Sequence, residues 1–182
     1  MNWRAGIFKE TVSIICFCFY ERDYSNIGVI MNLKRAVEKY KIIDHLSDIG
    51  IEFYGSTLEE LFENAGKGMF SIICDLRTVK PLEKKSIKIT GKNPNFEDLL
   101  ILWLERLIYR YEVGNTLFSE FKVDKIDRED HNLMLNAQIL GEKVDPCKHE
   151  IRVTIKAPTY HKLEITRNSK GHNWKGRVIF DI

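Results

Sequence analysis

An amphipathic helix pattern over residues 58–76 is the feature that most constrains the fold of this chain. Ser56 and Thr57 both offer a helix N-cap, and Glu59 and Glu60 follow them three residues later, as in a capping box. Apolar residues then recur at helical spacing. A helix with one apolar face is expected to pack on a sheet or on another helix. The apolar positions are Leu58, Leu61, Phe62, Ala65, Met69, Ile72 and Ile73.

Two glycines interrupt the apolar face of this first helix pattern. Gly66 and Gly68 each weaken a helix by roughly 1 kcal/mol relative to alanine. Because glycine has no side chain, we expect both positions to permit a close approach between the helix and a sheet.

A second helix is predicted after Asn95, which is a suitable N-cap residue and has Asp98 three residues later. Residues 99–104 are apolar on nearly every side. This second helix is therefore expected to be the most buried element, and Gly114 is expected to close it.

Strand-like runs occur between the helices and cluster after the second one. Residues 128–132 form a polar turn between two of these runs and predict a hairpin. The pattern indicates a single α+β domain, with two helices packed on one face of a mainly antiparallel or mixed β-sheet. The runs cover residues 37–43, 49–53, 86–90, 117–127, 133–140, 152–157, 161–167 and 174–180.

Composition excludes several classes of protein. The hydrophobic content of 44% is too high for a disordered chain. The net charge of +2 gives no field strong enough to indicate nucleic-acid binding. Four cysteines without a CxxC pair are typical of a reduced, cytoplasmic protein. The apolar run over residues 11–20 is shorter than the ~20 residues that a membrane span requires.

The beginning of the chain differs from the rest. Met31-Asn32 repeats the opening Met1-Asn2, and we interpret Met31 as the true start of the protein. Residues 1–34 are then an extension, and residues 35–182 form the domain. The alternative is a genuine extension, such as an additional edge strand.

Polar residues precede the strand-like run at 49–53. Residues 44–48 bring together two carboxylates, an imidazole and a hydroxyl, and Asp181 lies beside the carboxylate of Ile182 at the other end of the chain. If the two ends meet, their oxygen atoms form a hard site that suits Ca²⁺, Mg²⁺ or Mn²⁺. The alternatives are ordinary turn formation by Asp and Ser, and a solvated tail at Asp181.

Other reactive side chains lack the patterns that catalysis requires. His161 is a base or metal ligand in one interpretation and a packed, hydrogen-bonded histidine in the other. Cys147 and His149 are close in sequence, but no orienting partner for a nucleophile and base is evident. The histidines and cysteines fit no zinc spacing, and no nucleotide-binding or serine-hydrolase motif occurs.

Four blocks of sequence resemble the archease family. Residues 40–55 contain the pattern D-H-x-x-D-I-G-I, residues 141–150 contain G-E-x-x-D-x-x-K-H-E, and residues 156–161 contain K-A-x-T-Y-H. The chain ends in V-I-F-D-I. The blocks occur in the family's order, whereas residues 1–34 have no counterpart. The family usually has Thr-Ala in place of Leu46-Ser47 and Val in place of Pro158.

The resemblance implies a role as a non-catalytic cofactor of the RtcB-type RNA ligase. That enzyme joins tRNA halves bearing a 2′,3′-cyclic phosphate or 3′-phosphate and a 5′-hydroxyl, using GTP and divalent metal. The family promotes guanylylation of the ligase's histidine and its multiple turnover, and meets tRNA only indirectly. Its metal site, with Ca²⁺ the expected ion, corresponds to Asp48, Asp181 and Ile182. Accessory candidates are Asp44, His45, Asp145 and His161.

Two other classes of function stay open at the level of sequence. A chaperone or general protein-binding module would act on unrelated clients and would not require Asp48. A small metal-dependent hydrolase would turn over substrate alone, although the sequence offers no complete acid and base set.

Overall fold

A computed structural model describes residues 39–44, 48–91, 95–129, 131–167 and 173–182 of the chain. The predicted start at Met31, and the extension over residues 1–34, lie outside the described residues. No helix in the described ranges is both long enough and apolar enough to cross a membrane.

The described chain contains two α-helices and two antiparallel sheets. One sheet has the strand order β1-β2-β7-β6, and the other has the order β3-β5-β4. The predicted α+β class is confirmed, but the strands form two sheets where one was expected. The elements are β1 (Tyr40–Asp44), β2 (Ile49–Gly55), α1 (Leu58–Ile73), a 3₁₀ helix (Leu76–Thr78), β3 (Glu83–Gly91), α2 (Phe96–Gly114), β4 (Thr116–Glu129), β5 (Asn132–Lys143), β6 (Ala157–Arg167) and β7 (Trp174–Asp181).

The predicted N-cap of α1 is confirmed, and it is Thr57. The Glu60 backbone N–H donates to the Thr57 hydroxyl over 3.1 Å, and the Glu60 carboxylate accepts from the Ser56 N–H over 2.8 Å. These two reciprocal bonds satisfy backbone donors that the first turn of a helix leaves without partners.

Helix α1 packs against both sheets through its two glycines, as the sequence predicted. A Cβ atom on Gly66 would lie 2.9 Å from the ring of Phe121 on β4. A Cβ atom on Gly68 would lie 2.8 Å from the side chain of Ile51 on β2. The missing side chains therefore let the helix fill the core from both sides.

The expectation that α2 is the most buried element is wrong. Helix α1 buries ten of its 16 residues, whereas α2 buries seven of its 19. Leu102, Tyr109 and Val113 of α2 remain exposed. Both helices contact both sheets, but one side of α2 is left uncovered. Helix α2 ends at Gly114, as predicted, and the residue that follows it, Asn115, takes the left-handed conformation with a φ of 44°.

The strand predicted over residues 152–157 is also wrong for most of its length. Residues 151–156 are not in a strand, and β6 begins only at Ala157. The Arg152 N–H donates to the carbonyl of Ile73 over 2.8 Å, so this segment satisfies the end of α1. An alternating pattern identifies extended backbone, but it does not identify the partner of that backbone.

Candidate metal site

The two strands next to the predicted site, β2 and β7, are neighbours in the four-stranded sheet. Strand β2 pairs with β7 in antiparallel register, with Ile49 opposite Phe180. Continuing this register by one residue places Asp48 opposite Asp181. The two aspartates that the sequence suggested therefore stand next to Ile49 and Phe180, the last paired residues of neighbouring strands.

The charges at this end of the sheet do not balance. Like charges directly opposite each other on neighbouring strands are destabilising. The nearby cation is Lys156, whose ammonium donates to the Ile182 carboxylate over 2.8 Å. Its backbone N–H also donates to the Asp181 carbonyl over 2.8 Å. Counted over the described residues, Asp48, Asp181 and the Ile182 carboxylate bear three formal negative charges, and Lys156 offsets one of them.

The chemistry of these donors fits a divalent cation. All three groups supply carboxylate oxygen, which Ca²⁺ and Mg²⁺ prefer. In the part of the chain that the structure describes, no cluster of three or more His, Cys, Asp and Glu side chains could hold a metal ion. A site here would accordingly use the two aspartates and the Ile182 carboxylate, with the rest of the shell supplied by water or by a partner.

The accessory candidates differ in how far the structure describes them. Asp44 ends β1 opposite Ile49, while His45 lies outside the described residues. Asp145 is exposed, and its carboxylate accepts from the Cys147 N–H over 2.9 Å, as in an Asx-turn. His161 is exposed within the irregular part of β6.

His149 has a structural role that removes it as a base for Cys147. The imidazole is buried, and its Nδ1 accepts from the Asp145 N–H over 3.0 Å. Its Nε2 lies 3.3 Å from the Glu142 carboxylate. The pKa of Glu142 is lowered to about 2, chiefly by its hydrogen bond from Lys148. Because both ring nitrogens of His149 are engaged, neither is available to take a proton from a thiol.

A second carboxylate on the same sheet was missed by sequence reasoning. Glu52 accepts hydrogen bonds from Lys175 over 2.9 Å, from Arg177 over 2.8 Å and from the Tyr54 hydroxyl over 3.1 Å. The bond from Lys175 is the largest cause that lowers the pKa of Glu52 to about 2, although burial opposes it. The alternation of β2 and β7 was a signal for a shared face, but the register between them was needed to pair these residues.

The chain is similar in sequence and in fold to proteins of one family. A model of the Archease protein family (MTH1598/TM1083) matches residues 40–182. The archease of Methanosarcina barkeri is 41% identical over 145 residues, which are 80% of this chain and 97% of that protein. The archease of Sulfurisphaera tokodaii is 40% identical over 146 residues, covering 80% and 100%. The solution structure of Methanobacterium thermoautotrophicum protein 1598 has a TM-score of 0.70 at 36% identity, covering 80% and 99%.

Proposed function

Because this chain belongs to the archease family, we propose that it activates an RtcB-type RNA ligase in tRNA splicing. It promotes GTP-dependent guanylylation of the ligase's active-site histidine and sustains multiple turnover. It acts in the cytoplasm as a non-catalytic cofactor and meets tRNA only through the ligase. Family membership supports this role, and the residues of the chain supply its chemistry.

The observation that carries the proposal is the juxtaposition of Asp48 and Asp181. The pairing of Ile49 with Phe180 supports the proposal, because Asp48 and Asp181 are the next residues along the two chain segments and Ile182 follows. Lys156 offsets only one of the three charges. Such an arrangement is unfavourable by itself, so a bound cation is the simplest compensation.

The proposed mechanism uses these residues to hold Ca²⁺, or Mg²⁺ or Mn²⁺ in its place. A divalent ion supplies positive charge that can neutralise phosphate oxygens during phosphoryl or nucleotidyl transfer. Asp48 and Asp181 hold ligand oxygens at the ends of rigid strands, which fixes their spacing. Lys156 orients the Ile182 carboxylate through its hydrogen bond. In the docked complex, these residues would hold the ion beside the GTP phosphates that the histidine of the ligase attacks.

The first experiment measures guanylylation of the cognate ligase with GTP and Mn²⁺, with and without this protein. The variants are Asp48→Ala and Asp181→Ala, and the matched control is Asp124→Ala, which removes an exposed carboxylate from β4. We expect stimulation by the intact protein and the control, and none by the two site variants. Amide NMR spectra of all variants check that the fold is retained.

The other outcomes separate the remaining classes of function. Full stimulation by Asp48→Ala would show that the carboxylate site is dispensable, as expected for a general protein-binding module. An absence of stimulation by the intact protein, with an active cognate ligase, would contradict the cofactor role. Release of product from a cyclic phosphate substrate by this protein alone would indicate a hydrolase.

A further inference from the structure

Glutamate side chains of the helices accept hydrogen bonds from two of the edge strands, β4 and β6. On β4, the Val123 N–H donates to the carboxylate of Glu63 over 2.9 Å. On β6, the Ile165 N–H donates to the carboxylate of Glu97 over 3.1 Å. Helices α1 and α2 thus cap these edges with glutamate side chains, which satisfies groups that could otherwise pair with another chain.

Strand β3 is also an edge strand, since its sheet has the order β3-β5-β4. Within the described ranges, no helix side chain caps its outward N–H and C=O groups. An edge with unpaired backbone groups is a ready template for an added strand. The surface beside β3 therefore decides whether such a strand could bind there.

A groove of about 370 Å³ runs between β3 and α2. Lys88 and Thr90 line it from the strand, and Leu102, Arg106 and Tyr109 line it from the helix. At the other end of the helix, a Cβ atom on Gly114 would lie 3.5 Å from the Lys85 ammonium. The helix therefore runs antiparallel to the strand along their common length.

The groove lies beside part of the edge of β3. The strand edge from Lys85 to Thr90 spans about 16 Å at an extended rise of about 3.3 Å per residue. The helical wall of the groove, from Leu102 to Tyr109, spans about 10 Å at about 1.5 Å per residue. An extended segment of about five residues would cover the strand edge.

Three residues that line the groove recur on one face of α2, and Val113 continues that face beyond the groove. Leu102, Arg106, Tyr109 and Val113 recur at helical spacing. Leu102 is 37% exposed, Tyr109 is 53% exposed and Val113 is 70% exposed. Exposed apolar groups beside an unpaired strand edge offer pockets for the alternate side chains of an added strand.

The charges of the groove favour an acidic occupant. Lys88 and Arg106 form no ion pair with any described residue, and Lys84 adds a further exposed cation on β3. Glu105 is the one acidic residue that lines the groove. The pKa of the Tyr160 phenol on β6 is raised chiefly by burial and then by Asp98, and the Glu105 carboxylate adds a smaller increase. A second copy of β3 paired in parallel register would bring lysines against lysines, which disfavours that form of self-pairing.

We propose that the groove between β3 and α2 binds an extended acidic segment of a partner protein, which adds to β3 as a strand. The backbone of β3 supplies the ladder of hydrogen bonds, and Lys88 and Arg106 select acidic side chains. The groove shares no residue with Asp48, Asp181 and Ile182, so this surface is additional to the metal site.

The test uses the full chain and a fluorescent peptide that alternates valine and glutamate, long enough to fill about five pairing positions. Fluorescence anisotropy measures the affinity, and amide NMR shifts locate the binding. We expect shifts at β3 and α2. We also expect at least about tenfold weaker binding when Lys88→Glu and Arg106→Glu are combined. A peptide with the same side chains and alternate N-methyl groups is expected not to bind, because it cannot form the ladder.

The matched control combines Lys122→Glu and Lys125→Glu, which makes the same charge change on β4, at the opposite edge of the same sheet. It is expected to change the affinity by less than about twofold, whereas non-specific attraction would weaken equally in all variants. The proposal is overturned by equal affinity of the N-methylated peptide, by shifts confined to other elements, or by no binding at about 1 mM peptide.

Discussion

Strands β2 and β7 carry two carboxylate sites on the same face, and the two are opposite in design. At Glu52, the register places Arg177 directly across, and Lys175 adds a second cation. At Asp48, the register continues to Asp181, so that an anion faces an anion. The first site is neutralised by the protein itself. The second has an excess of negative charge, which an external cation would balance.

The largest expected effect is the loss of metal-dependent stability in Asp181→Asn. We expect Ca²⁺ at about 100 times its Kd to stabilise the wild-type protein by about 2.7 kcal/mol, because it binds only the folded state. The variant is expected to show almost none of this gain. Thermal unfolding with Ca²⁺ or with EDTA measures it, and Glu52→Gln should keep the full increment. If Ca²⁺ does not stabilise the wild-type protein, the proposed contrast between the two sites is wrong.

The second prediction concerns the neutralised site, and its effect does not require metal. Glu52→Gln is expected to lower the free energy of unfolding in EDTA by about 1–2 kcal/mol, since it leaves Lys175 and Arg177 without their counter-ion in a partly screened position. Urea unfolding measures the change. Glu120→Gln, at an exposed position of β4, serves as the control and should alter stability little. An equally small change in Glu52→Gln would mean that solvent already screens these pairs.

The pH dependence of stability gives a third test. The pKa of Glu52 is lowered from 4.5 to about 2 by folding, so its ionised form stabilises the folded state. This contribution is complete above pH 4.5 and is lost as the pH falls from 4.5 toward 2. The stability difference between wild type and Glu52→Gln should shrink over that window. Urea unfolding at a series of pH values measures this difference. A difference that stays constant with pH would argue against the ion pairs as its cause.

The smallest expected effect has the opposite sign. In EDTA, Asp48→Asn should raise the free energy of unfolding by about 0.2–1 kcal/mol, because it removes repulsion between opposed carboxylates. The same substitution should abolish the response to Ca²⁺. Paired urea titrations with and without Ca²⁺ measure both changes. A variant that is less stable than wild type in EDTA would indicate that Asp48 has a structural partner.

Local features of the fold were predictable because they depend on neighbouring residues. The Thr57 cap, the Asn95 cap and the hairpin between β4 and β5 follow from short-range spacing and turn chemistry. The close approach at Gly66 and Gly68 was predictable because only glycine lacks a side chain. The extent of helix burial was harder to predict, because an apolar surface does not indicate how many neighbouring elements will cover it.

For the candidate site, the sequence by itself determined which residue types stand at each end of the chain, including Asp48, Asp181 and Ile182. Only the tertiary structure decided that β2 and β7 are neighbours and that their register pairs Ile49 with Phe180, next to the two aspartates. It also brought Lys156 to the terminal carboxylate and two cations to Glu52. The reason is physical: periodicity and capping act over a few residues, whereas strand partners are chosen by burial of the whole core and by long-range pairing.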